Sequence, residues 1–113
     1  MNKFITICSL IIMLGLGLTD TSHAREVQLN HQGCINFAQL ILALQEERDA
    51  GRSQADQLKE MTSLGLEKDV AAVARRMILL PHVNGGGRQL AQEFYDFCVK
   101  NQGRVQVVDE SDG

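Results

Sequence analysis

Residues 34–44 read Cys34-Ile35-Asn36-Phe37-Ala38-Gln39-Leu40-Ile41-Leu42-Ala43-Leu44, and this stretch decides the fold class. Cys34, Phe37, Ala38, Ile41 and Leu44 recur at helical spacing and form one apolar stripe. Ile35, Leu40 and Leu42 widen the stripe almost all round, which is the pattern of a central, buried helix. Glu46-Glu47-Arg48-Asp49 returns the chain to solvent, and Gly51 suits the left-handed residue that ends a helix.

Further helices follow on the C-terminal side. Ser53-Gln54-Ala55-Asp56 fits a capping box, in which a serine oxygen and a carboxylate meet the free amides of a helix start. That second helix is short, with Ala55, Leu58 and Met61 or Thr62 facing inward, and Gly65 ends it. A third helix is expected over residues 67–80, with Val70, Val73, Ala74, Met77 and Ile78 inside and Glu67 and Asp69 at its positive end. Pro81 stops it, because the pyrrolidine ring cannot continue a helix. After the loop Pro81-His82-Val83-Asn84-Gly85-Gly86-Gly87, a last helix starts near Arg88 and carries Leu90, Ala91, Phe94, Phe97 and Cys98 on one face. Gly103 ends it. Arg25–Gln32 reads as a polar leader, and Arg104–Val108 as a short extended segment against the bundle.

The N-terminal residues set the compartment. Lys3 supplies a positive start, Phe4–Leu18 an apolar run of about 15 residues, and Ser22-His23-Ala24 the small-x-small pattern of a cleavage site. Met1–Ala24 is therefore expected to be a cleaved signal peptide: the apolar run is shorter than the roughly 18–20 residues needed to span hydrocarbon. Export to the periplasm, or secretion, follows, where disulfides persist. Residues 25–108 then form one small helical domain, and Asp109–Gly113 an acidic disordered tail. Cys8 leaves with the signal, so Cys34 and Cys98 remain as a pair, expected as one disulfide. Closing that loop of about 65 residues is worth roughly 4 kcal/mol in the chain-entropy model. In an up-down-up-down bundle the start of the first helix and the end of the fourth lie together, so cysteine pairing and helix order agree. The expected fold is all-α: four helices, up-down-up-down, stapled between the first and last.

Charge and motifs exclude several functions. The chain of 113 residues has 11 Lys and Arg against 14 Asp and Glu, a net charge of −3, with Asp109, Glu110 and Asp112 near its end. No basic field exists for nucleic acid, and no Lys/Arg-rich amphipathic face for anionic lipid. Carboxylates such as Glu46/Glu47, Glu67/Asp69 and Glu93/Asp96 lie on polar helix faces or ends, not across a cleft in unlike environments. Gly-x-Ser-x-Gly is absent and the cysteines occupy each other, so no catalytic residue is assigned. His31 and His82 lack partners at ligand spacing, so no metal or other cofactor is expected. What remains is a recognition surface. The loop residues His82, Val83, Asn84, Gly85, Gly86, Gly87 and Arg88 are the candidate partner-binding site, read against the simpler role of a flexible connection. Arg48, Arg52, Arg75 and Arg76 are candidate exposed cations, and Tyr95 with Phe94 a partial aromatic anchor for a dimer or ligand.

The cysteine entering the first long helix (Cys34-Ile35-Asn36-Phe37-Ala38), the Asp49-Ala50-Gly51 exit and the aromatic Phe94-Tyr95-Asp96-Phe97-Cys98 resemble the type VI secretion amidase immunity proteins. That resemblance implies a helical periplasmic protein, often dimeric, that covers the active-site cleft of a cell-wall hydrolase. The chain also resembles HdeA-type periplasmic acid-stress chaperones in its cysteine placement, and departs from them in having few lysines and no tryptophan. The leading expectation is a non-enzymatic protein-binding module, an immunity or inhibitor protein acting by occlusion. An acid-stress chaperone and a small-molecule carrier are the alternatives.

Overall fold

The computed structural model describes residues 24–108. The segment expected to be a signal peptide, apart from Ala24, and the expected acidic tail lie outside the described residues. The elements run β1 (Ala24–Gln28), α1 (His31–Asp49), α2 (Gln54–Ser63), α3 (Lys68–Ile78), α4 (Gly87–Lys100) and β2 (Arg104–Val108).

Three of the four described helices, α1, α2 and α3, start where a side chain satisfies a free amide, whereas α4 starts after Gly86 with no side-chain cap. Asn30 Oδ1 accepts from Gly33 N at 2.7 Å, opening α1 a turn earlier than the apolar stripe does. Ser53 Oγ accepts from Asp56 N at 3.1 Å. The Glu67 carboxylate accepts from Asp69 N at 3.0 Å and Val70 N at 3.2 Å. α1 ends at Asp49 with Ala50 as its C-cap, followed by Gly51 at φ +102, a conformation that side chains with a Cβ adopt only under strain.

α1 is the central element, packed chiefly against α4 and also against α3. Ile41 of α1, Val73 of α3 and Val105 of β2 are fully buried together with Cys34 and Cys98. The cysteines form the expected disulfide, with Sγ atoms 2.08 Å and Cα atoms 5.8 Å apart. It joins the start of α1 to the end of α4. At the other end, Gly87 opens α4 against Gln45 and Leu42 of α1, where a Cβ would come within 2.9 Å of Gln45 Cβ. The two contacts fix α1 and α4 as antiparallel neighbours.

The all-α expectation needs correction. β1 and β2 pair antiparallel, from Ala24 opposite Val108 to Gln28 opposite Arg104, and Leu29 N donates to Gly103 O at 2.8 Å. Val105 and Val107 alternate inward and join Val27 in the core. Arg104–Val108 is extended, as the sequence suggests, but the polar leader is its partner strand. A five-residue strand with one buried position carries no alternating signal, and its partner lies at the far end of the chain. α2 also differs: Ala55 and Thr62 are exposed, and its one buried residue is Gln57. Val70 and Phe97, expected inside, stand at the surface.

Candidate functional site

The loop between α3 and α4 is tied to the last turns of α1 by two side chains. Gln45, only 2 % exposed, sits one helical turn beyond Ile41 on the buried face. Its Nε2 donates to Pro81 O at 3.0 Å, and its Oε1 accepts from Val83 N at 2.8 Å. Both ends of the amide are thus used, as a buried polar group requires. One turn further, Asp49 Oδ1 lies 2.7 Å from His82 Nε2 and 3.2 Å from Gly85 N. The hydrogen bond from His82, then that from the Gly85 amide, hold the Asp49 carboxyl below its ordinary range.

The glycines complete the loop. Gly85 adopts φ +72, and Gly86 N closes a turn onto Val83 O at 2.8 Å. Gly87 has no room for a side chain against Gln45. His82, Val83, Asn84, Gly85 and Arg88 are exposed, Gly86 is half-buried and Gly87 is buried. The seven candidate residues are contiguous in space, and hydrogen bonds with Gln45 and Asp49 reach the loop at Pro81, His82, Val83 and Gly85. Its exposed apolar side chain is Val83, 45 % exposed.

Three of the other candidate cations, Arg48, Arg52 and Arg76, contact the fold itself. Arg48 Nε donates to Gln57 Oε1 at 2.9 Å and its Nη2 to Ile78 O, while Gln57 Nε2 donates to Leu44 O at 3.0 Å. Arg52 bridges Glu47 at 2.8 Å and Glu60 at 2.7 Å, and both carboxylates hold its guanidinium more firmly protonated, Glu60 the more strongly. Arg76 donates to Gln106 O of β2. These guanidiniums join elements of the fold, in place of the free contacts expected of them. Tyr95 is half-buried, edge-on to His31 with ring centres 5.9 Å apart.

Sequence reading passed over Gln45, Asp49 and Gln57 as site residues. A glutamine falling on the buried stripe of α1 is the one signal that pointed to them, since such an amide must find partners across the fold. Among the described residues, no group of three His, Cys, Asp or Glu side chains gathers to hold a metal ion, and no helix is long and apolar enough to cross a membrane. No protein-family model, curated protein or solved structure matches the chain.

Proposed function

We propose that this chain is a periplasmic, non-enzymatic protein-binding module with an up-down-up-down order of helices, acting as an inhibitor of a cell-wall hydrolase by occlusion. The observation that supports the reading is the state of the Pro81–Arg88 loop: exposed at its tip, yet held from below by Gln45 and Asp49. A loop ordered before binding loses little conformational entropy on docking, which is what a small inhibitor of a cleft needs. Val83 is the apolar anchor, Asn84 and the neighbouring backbone offer hydrogen bonds, and Arg88 supplies charge at the edge. The carboxylates of the domain perform no chemistry in this mechanism; the protein excludes substrate.

The test uses oxidised protein recovered from the envelope fraction of expressing cells, added to periplasmic extract digesting purified peptidoglycan. The expected result is loss of one hydrolytic activity and co-elution of that enzyme with the protein in one-to-one ratio. Val83→Asp combined with Asn84→Ala should weaken the effect roughly a hundredfold, as loss of a central anchor does, with an unchanged circular dichroism spectrum. Unaltered digestion at saturating protein would sink the proposal. Suppression of client aggregation at acidic pH without a single partner would favour the chaperone class in its place.

A further inference from the structure

We propose that the groove between α1 and α4 binds a medium-chain fatty acid, with the carboxylate on Arg88 and the chain along the apolar walls. The groove encloses about 340 Å³, within the range of small-molecule sites. Ile35, Ala38 and Leu42 line it from α1, and Ala91 and Tyr95 from α4. Gly87 packs on Leu42 and Tyr95 on His31, so Leu42 and Arg88 share one end of the groove and Ile35 and Tyr95 the other. Residues 35–42 of α1 and 88–95 of α4 each span about 10 Å of helix axis. A straight course between mostly aliphatic side chains suits an unbranched chain.

Charge names the head group. Among the described residues, Arg88 is the one charged side chain that lines the groove. It is exposed, and among the described residues it has no hydrogen-bond or ion-pair partner. A free guanidinium at the end of an apolar wall matches a carboxylate, which it can hold through two parallel hydrogen bonds. Gln39 and Gln92 add only uncharged amides. Asp96 stands outside the groove, about 12 Å along the helix axis from Arg88, and accepts from Gln92 at 3.0 Å. A carboxylate is thus drawn to the Arg88 end and repelled from the other, which leaves the methyl end of the chain against Ile35 and Tyr95. The groove between α3 and β2 also has guanidiniums on its wall, but Arg76 donates to Gln106 O and Arg75 is engaged as well. The proposal does not rest on the hydrolase reading, because binding of a small acid is read without any enzyme.

Amide chemical-shift titration of the oxidised protein with octanoate, at neutral pH and below its micelle concentration, tests it. Octanol and octylammonium, with the same chain and other head groups, are the controls. Octanoate should saturate, with shifts confined to residues 35–42 and 88–95 and nuclear Overhauser contacts from its terminal methyl to Ile35. Octanol should bind roughly tenfold more weakly, the loss expected for a charge-assisted hydrogen bond, and octylammonium more weakly still. Arg88→Gln should lower the affinity for octanoate to that for octanol and leave octanol binding unchanged. Because Arg88 is exposed and unpartnered, the spectrum of the variant should otherwise match that of the wild type. Failure to saturate, equal binding of the three compounds, or shifts centred away from the groove would each overturn the proposal. So would an Arg88→Gln variant that binds octanoate as the wild type does.

Discussion

Gln45→Leu isolates the pin that holds the candidate site. Leucine keeps nearly the volume of glutamine, so no cavity opens beside Ile41, and the change removes two hydrogen bonds, to Pro81 O and from Val83 N. A net value of about 1 kcal/mol for each gives about 2 kcal/mol in all. Larger penalties for buried unsatisfied groups do not apply in full, since Pro81 and Val83 are exposed and water can reach their backbone once the loop lifts. The expected outcome is a fall in global stability of about 2 kcal/mol, or roughly 10 °C in Tm for a domain of this size. Locally, exchange of the Val83 amide should speed up about thirtyfold, the factor that 2 kcal/mol represents. Hydrogen exchange followed by NMR separates the two effects, because amides next to the disulfide report only global opening. Unchanged Val83 exchange in a variant of unchanged stability would refute the argument that Gln45 orders the loop.

Two further outcomes test the rest of the frame. Replacing both cysteines with alanine releases a link across 64 residues, and urea unfolding should show a loss of about 4 kcal/mol; a loss under about 1 kcal/mol would mean that the reduced chain is already constrained. The Asp49 contact should make the loop sensitive to acid. Its carboxyl is held below the ordinary value of 3.8 by His82 and then by Gly85, so the stabilisation is fully present above about pH 4 and lost as pH falls through the lowered folded value. The Gly85 amide resonance should move in that acid range in the wild type but not in Asp49→Asn, and a shared titration step would assign it elsewhere.

Much of the helical frame is legible in residue order because its causes are local. Ser53 and Glu67 cap the helices that follow them, Gly51 and Pro81 stand beyond helix ends, and Cys34 and Cys98 fall on the apolar faces that meet. The sheet was not legible. Arg104–Val108 reads as extended, but Ala24–Gln28 becomes a strand because Arg104–Val108 is brought beside it, and its single buried position, Val27, gives no alternation to announce it.

The candidate loop divides in the same way. Pro81 and three successive glycines mark a break between helices by backbone restriction and freedom alone, properties that belong to each residue wherever it stands. Whether such a break is slack or held depends on what lies beneath it. Gln45 and Asp49 are separated from the loop by two intervening helices, and the packing of both α3 and α4 against α1 brings the loop over them. Helix caps and turns arise from interactions within a few residues, so sequence determines them by itself. The orienting hydrogen bonds of the loop and the strand pairing join distant segments, and their partners exist only after the core has closed.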